Sequence, residues 1–275
     1  MRKSVRVTGS LLLALLAIAV CHVPAGALQV EGSYTRMHTV KPGDIVDGLI
    51  VLVNTGASPE SVRITRRDRL SDDRIGTRYL EPGEFERSNA PWIEISQDEV
   101  LIPAGQQLTL LYRIHVPEDQ RLSGTYWSAL VIEPQATGVQ TRVSGEDGPA
   151  ILIRQVVRHE LMIITQVADT GDRQIEFVDP QLQRGDDGRY IFHVLIENTG
   201  ERLLNPKVWL ELYDESGRFL GRFERDSRRI FPQAAVRQQF DLGVLEPGAY
   251  PALLIVDAGD IHVFGARYTL RIARE

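Results

Sequence analysis

One arrangement of residues occurs twice in this 275-residue chain, in the same order each time. In the first copy Val51-Leu52-Val53 ends in Asn54-Thr55-Gly56, Ile102-Pro103 follows, and Gly124-Thr125-Tyr126 leads into Leu130-Val131-Ile132. In the second, Val194-Leu195-Ile196-Glu197 ends in Asn198-Thr199-Gly200, Phe231-Pro232 follows, and Gly248-Ala249-Tyr250 leads into Leu254-Ile255-Val256. Within each copy, short apolar runs alternate with polar residues and are broken by Gly, Pro, Asn and Asp. That is how half-buried strands read. A repeat of this length predicts an all-β chain made of two similar sandwiches in tandem, an architecture that hosts many unrelated functions.

The chain opens Met1-Arg2-Lys3-Ser4-Val5-Arg6, and an apolar run from Leu11 to Val20 leads to Ala25-Gly26-Ala27. This is the layout of a secretory signal peptide over 1–27, too short for a membrane span, with cleavage expected after Ala27. A lipoprotein anchored at Cys21 is the competing reading, although Val20 stands where lipid-modified proteins carry a small residue. A retained N-terminal anchor is the third. Loss of Arg2, Lys3 and Arg6 changes the formal net charge from −6 to −9, 28 basic against 37 acidic residues. Nucleic-acid affinity rests on cationic contacts, so so acidic a chain is not built for it. The cleaved segment also holds the only cysteine, which excludes disulfides, thiol nucleophiles and Cys-based metal sites from the mature chain. The expected location is periplasmic or secreted, in the cell envelope.

The expected division is an N-terminal sandwich over 28–168, a linker at 169–173 and a C-terminal sandwich over 174–275. Gln29 to Thr39 reads as one strand, and Ile45 to Asn54 as the next. Asp68 to Asn89 departs from the alternation and is rich in Arg, Asp and Gly. It reads as a solvated insertion, with a binding loop as the other possibility. Trp92 is expected between the two layers. Ala150 to Val167 reads as a long strand, bent near Arg158-His159, that closes the first sandwich. In the second, Tyr190 to Asn198 is expected to pair with Lys207 to Tyr213, and Asp214-Glu215-Ser216-Gly217 to form a hairpin turn.

No arrangement carries catalytic chemistry. His38, His115, His159, His193 and His262 are too far apart in sequence to form a zinc pair. Asp72-Asp73 and Asp186-Asp187 are adjacent carboxylates, which point to opposite faces in a strand and cap turns in a loop. The calcium-loop pattern is missing around Asp186-Asp187. Ser96, Ser128 and Ser227 lack a nucleophile elbow, and no phosphate-cradling glycine loop is present. The chain is therefore expected to be a binding or assembly factor without cofactor or metal, not an enzyme.

Leu245-Glu246-Pro247-Gly248-Ala249-Tyr250 resembles the tyrosine corner of fibronectin type III and related sandwiches, and Gly124-Thr125-Tyr126 has the same outline. The fold class is thus two tandem Ig-like or fibronectin-III-like β-sandwich domains after a signal peptide. The first sandwich also resembles the periplasmic pilus chaperones in Thr35-Arg36, Val51-Leu52-Val53-Asn54, Trp92-Ile93, Leu101-Ile102-Pro103-Ala104-Gly105-Gln106, Val116-Pro117 and the long final strand. The resemblance implies that the final strand completes the fold of a pilus-like protein subunit, and that Arg36 anchors a carboxylate of it. Ile151 and Ile153 would then lie on the capturing edge, with Arg154 or Arg158 as a second basic anchor. Asn54-Thr55-Gly56, Pro103-Ala104-Gly105 and Pro117 with Gly124-Thr125-Tyr126 are similar to the N-terminal domain of WxL-interacting proteins, which implies peptidoglycan as an alternative partner. A glycan-binding role needs exposed aromatics beside polar groups, for which Trp127, Trp209, Tyr34 and Tyr79 are candidates, although Trp127 and Trp209 are expected in the core. A hydrolase with its site between the sandwiches is the third class.

Overall fold

A computed structural model describes residues 28–135, 139–143 and 151–274, with 139–143 and 151–155 described by backbone alone; the expected signal peptide lies outside them. The chain runs through β1 (Leu28–Val30), β2 (Thr35–Val40), β3 (Ile45–Asn54), β4 (Glu60–Asp72) and β5 (Gly76–Leu80). A 3₁₀ turn at Ala90–Trp92 then precedes β6 (Ile93–Ile95), β7 (Glu99–Ile102), β8 (Gln107–His115) and β9 (Thr125–Pro134). Last in this half come β10 (Val139–Val143), β11 (Ile151–Gln155) and β12 (His159–Val167). One sheet has the order β1-β3-β8-β6, the facing one β2-β12-β9-β4-β5 with β7 also on β4, and β10 and β11 form a separate ribbon. Alternation sorts the faces. On β8, Leu110, Tyr112 and Ile114 are buried, while Thr109, Leu111, Arg113 and His115 face out. They meet Ile50, Leu52, Ile64, Ile132, Leu161 and Ile163 in one core, where a fully buried Leu or Ile contributes about 1.5–3 kcal/mol.

The segment expected as one strand from Gln29 to Thr39 is two strands in different sheets. β1 is antiparallel to β3, whereas β2 is parallel to β12. The chain changes sheets between them, where Gly32 takes φ +83°, a left-handed conformation that other residues rarely adopt. Trp92 is half-buried, not enclosed between the layers. Pro91 starts a turn instead of a strand, so Ile93 takes the interior position and the indole lies against Tyr126 at 4.8 Å.

The second half holds β13 (Ile175–Arg184), β14 (Tyr190–Asn198), β15 (Lys207–Tyr213), β16 (Phe219–Arg225), β17 (Ala235–Gly243), β18 (Gly248–Asp257) and β19 (Val263–Ile272). Its sheets are β13-β14-β17 and β16-β15-β18-β19, closed over a separate core that includes Phe192, Val194, Leu210, Phe240 and Leu254. β14 and β15 do not pair as expected: they lie in opposite sheets, and the chain between them crosses the core. Trp209 is half-buried on the outer face, because its neighbours Val208 and Leu210 take the core positions. The Arg222 guanidinium covers its ring at 4.2 Å. At the corner, the Tyr250 hydroxyl donates to Glu246 O at 2.9 Å, as its surroundings in sequence imply.

The repeated Asn-Thr-Gly has a physical cause. Asn54 and Asn198 are fully buried at the ends of β3 and β14. Asn54 Nδ2 donates to Ser58 O (2.8 Å) and Ile102 O (3.0 Å), and its Oδ1 accepts from Gly56 N (2.9 Å). Asn198 repeats all three bonds, to Arg202 O (2.7 Å) and Ile230 O (2.8 Å) and from Gly200 N (3.0 Å). One amide thus ties a strand end to its own loop and to the carbonyl before the next Pro-containing segment. Asn198→Ala removes all three bonds, and although Ile230 O keeps Leu204 N and Gly200 N keeps Gln174 O, it is expected to cost about 1–3 kcal/mol. Asn54→Ala is expected to cost a similar amount, read in both cases from denaturant midpoints.

Candidate functional site: the junction and the open strand edge

Residues 68–89, expected as a solvated insertion, instead join the two sandwiches. β4 continues to Asp72, and the turn into β5 reaches β17. Asp73 N donates to Ala235 O (2.9 Å), Ala235 N to Asp72 Oδ2 (3.0 Å) and Arg237 N to Asp73 Oδ2 (2.9 Å). Arg228 grips Asp73 through Nη1 and Nη2 at 2.7 and 3.0 Å, and Arg74 bridges Asp72 and Glu197. The adjacent carboxylates therefore hold a partner sheet as well as their own turn, in which Asp72 Oδ1 accepts from Arg74 N at 2.7 Å. Farther along, buried Asp68 accepts from Gly83 N (3.1 Å) and Phe85 N (2.8 Å) and from Ser88 Oγ. This places Phe85 against Trp127 at 5.0 Å, while Phe231 of the second sandwich meets the same indole at 4.7 Å. Trp127, expected in the core, is buried at the junction instead, on the face of its sheet turned away from the first core, and its Nε1 donates to Arg69 O at 2.6 Å.

A second seam is built on Glu201. Its carbonyl accepts from Thr125 N (2.8 Å), and its carboxylate accepts from Ser123 Oγ (2.6 Å) and Arg87 Nη2 (2.9 Å). Leu203 N donates to Thr125 Oγ1 at 2.9 Å. Gly124, at φ +75°, is required here: a Cβ would come within 2.2 Å of Glu201 O. The Gly-x-Tyr pattern of the first copy thus serves the junction, and Tyr126 packs on Trp92 under Arg87.

Burial pushes the Asp73 carboxyl up, but the Arg228 guanidinium and the Arg237 N–H outweigh it, and the group titrates below the ordinary carboxylate range. Asp72 is lowered in the same way, burial being outweighed by Arg74 and the Ala235 N–H. Ser123 and Arg87 lower Glu201. A carboxylate depressed in the folded state stabilises it above the unfolded value of about 3.9 and loses that contribution as pH falls through the folded one. Asp73→Ala is expected to cost about 1–3 kcal/mol near neutral pH. Its deficit against the wild type should narrow in denaturation midpoints as pH falls through the lowered folded-state pKa of Asp73. A deficit that is constant with pH contradicts the role given to the carboxylate.

Arg36 does not face the junction. Its guanidinium folds back over Gly32, donating to Ser33 O (2.6 Å) and Glu31 O (3.4 Å), so it staples the sheet change between β1 and β2. The neighbouring Thr35 is the residue that reaches the second sandwich, where its Oγ1 accepts from Arg229 Nη1 at 3.0 Å. Arg158 is exposed and paired with Glu133 at 2.8 Å. The side chains of Ile151, Ile153 and Arg154 lie outside the described residues.

The expected long strand is divided into β11 and β12, separated at 156–158. β12 is not a free edge along its length. It pairs with β9 from His159 to Gln166, and β2 covers its other side from Met162 to Val167. Before Met162 that side carries no strand among the described residues, and β11 pairs there with β10 alone. Met162 N donates to Tyr34 O at 2.9 Å, so the main-chain groups of Glu160, two residues earlier, point to the same open side. His159 closes the end of the sheet, with Nε2 on Leu28 O (2.9 Å) and Nδ1 on the Tyr34 hydroxyl (3.1 Å). Tyr79 donates to Glu160, which also pairs with Arg69 at 2.5 Å. Tyr34, Tyr79, Trp127 and Trp209 therefore form no common platform.

No protein-family model matches the chain, and no curated protein matches it. Solved fimbrial chaperones are similar to it. A chain of the chaperone–tip adhesin complex of CFA/I fimbriae biogenesis is 11% identical, with 89% of this chain and 98% of that one covered and a TM-score of 0.47. The class 5 fimbriae chaperone CfaA is 11% identical, with 88% and 98% covered and a TM-score of 0.44. A chain of the Salmonella enterica SafA pilin complex with the SafB chaperone is 12% identical, with 89% and 96% covered and a TM-score of 0.41. The likeness is one of fold. Among the described residues no helix is long and apolar enough to cross a membrane.

Sequence reasoning missed the junction because its pairs are far apart in the chain. Asp73 and Arg228 are separated by 155 residues, and neither sits in a local motif. The signal that was available is the excess of Asp and Arg at the tip of a hairpin, which solvation explains equally well.

Proposed function

We propose that this chain is an exported, non-enzymatic assembly factor of the cell envelope that captures a polypeptide partner, a pilus-like subunit, by strand addition. The observation that carries this reading is the side of β11, and of β12 before Met162, on which no strand pairs among the described residues. An edge of this kind offers main-chain donors and acceptors to an incoming strand, and the residues on alternate faces select among strands. Open edges invite aggregation, and exported proteins cover them or keep them for a partner. In this chain β2 covers the edge only from Met162 onward, and its sheet change at Gly32 takes the preceding residues into the opposite sheet. The basic anchor assigned to Arg36 by resemblance is not part of this reading, since that side chain holds its own turn.

Hydrogen exchange tests the mechanism. The protein is purified alone and in complex with an envelope subunit that co-purifies with it. Formation of the complex is expected to slow exchange at the Glu160 amide and across 151–158 at least tenfold, and to leave the amides of β14 and β15 unchanged. A complex that forms without protection of this edge contradicts strand addition.

A further inference from the structure

Two recesses lie side by side at the junction. The first, about 510 Å³, is lined by Arg69, Glu160 and Met162 of the first sandwich and by Ser227, Arg229 and Phe231 of the second. The second, about 430 Å³, is lined by Arg225, Arg228 and Arg237. Asp73 and Arg228 border both, so the two are continuous. Five guanidiniums (Arg69, Arg225, Arg228, Arg229, Arg237) thus face two carboxylates (Asp73, Glu160), on a chain whose formal net charge is −6. Glu160 takes Arg69, and Asp73 takes Arg228. Arg225, Arg229 and Arg237 have no carboxylate within ion-pair distance among the described residues. Two of them are nonetheless positioned: Arg225 Nη1 donates to Gln239 O (2.9 Å) and Arg229 Nη1 to Thr35 Oγ1 (3.0 Å). A guanidinium has five N–H donors in a fixed fork, so each of these keeps donors to offer.

We propose that these arginines form a track that receives an acidic segment of the captured polypeptide, with Arg229 and Arg225 pairing with successive carboxylates. The proposal rests on the strand-capture reading and names the chemistry of the partner. Continuity selects a polypeptide: Glu160 and Met162 line the first recess and belong to β12, so a strand added along that edge is led into the track. A flat bilayer does not enter a recess walled by both sandwiches. The spread of the cations over two recesses fits a run of acidic side chains better than one terminal carboxylate. Such a surface also steers an acidic partner at long range, an effect that salt suppresses.

The test uses fluorescent peptides on the full mature chain: a glutamate-rich peptide with an amidated C-terminus, the same peptide with glutamine for glutamate, and the glutamine peptide with a free C-terminal carboxylate. The wild type is expected to bind the glutamate peptide at least tenfold more tightly than the amidated glutamine one. The preference should fall between about 20 and about 300 mM salt, as the screening length drops from about 20 to about 6 Å. Arg225→Glu and Arg229→Glu are each expected to weaken it about tenfold. Both side chains are exposed and lie outside the Asp73 clasp, and circular dichroism is the check that each variant folds. Equal binding of glutamate and glutamine peptides, or reversals without effect, overturns the track. Binding of the free-acid glutamine peptide as tight as that of the glutamate peptide overturns it in favour of a terminal-carboxylate site. Binding to vesicles with about 30% anionic lipid that both reversals abolish, without peptide binding, overturns it in favour of a membrane surface. Edge protection by a bound subunit does not depend on these peptides, so failure of the track and failure of strand capture are told apart.

Discussion

The indole of Trp127 meets the ring of Phe231 at 4.7 Å, and what this chain can offer a partner depends on that contact between the sandwiches. Trp127 is buried on the side of its sheet that faces away from the first core, so the second sandwich acts as its cover. Phe85 closes the other side of the same ring. Aromatic contacts of this kind fix a distance but not a rotation. The rotation is set by the polar seams on either side, the carboxylates of Asp72 and Asp73 on β17 and the Glu201 carbonyl over Gly124. A fold with two separate cores thereby carries the recesses of the proposed arginine track between its sandwiches, beside the strand that holds the proposed capturing edge.

The charge distribution follows the same division. Arginines at the junction are held by main-chain carbonyls and by a few carboxylates that they partly outnumber, while the chain as a whole is acidic. Charges brought together in a partly desolvated recess repel unless something holds them, and here the ion pairs Arg228–Asp73 and Arg69–Glu160 do so. Each pair therefore has two effects: it orders the recess and leaves the neighbouring Arg225 and Arg229 without a carboxylate among the described residues.

Much of the fold is legible in the sequence, because it depends on residues close together in the chain. Asn54 and Asn198 announce the repeat because each amide binds its own loop within four residues. Tyr250 announces its corner because the acceptor, Glu246 O, is four residues away. Alternation marked Ile45 to Asn54 as a strand, although it could not say which sheet a strand joins: β14 and β15 fell on opposite sides, and Trp209, expected in the core, lies on an outer face. The sheet change at Gly32 was hidden because β1 and β2 continue one alternating pattern across a single left-handed residue. The junction was the least legible part. Asp72 and Asp73 read as turn-capping carboxylates in a solvated insertion, Arg228 and Arg229 belong to no local motif, and only tertiary packing brings them to the junction. The resemblance pointed to Arg36, whose guanidinium holds its own turn, while the neighbouring residue that reaches the second sandwich is Thr35.

The central claim is that the two sandwiches form one body, so that edge and recess keep a fixed relation. Electron–electron resonance distances between spin labels at Thr109 and Gln183, exposed positions on the two sandwiches, test it most directly. The account predicts one narrow distance distribution at neutral pH, which broadens when Asp72 and Asp73 are both replaced by alanine. A broad or multimodal distribution in the unmodified junction would contradict it.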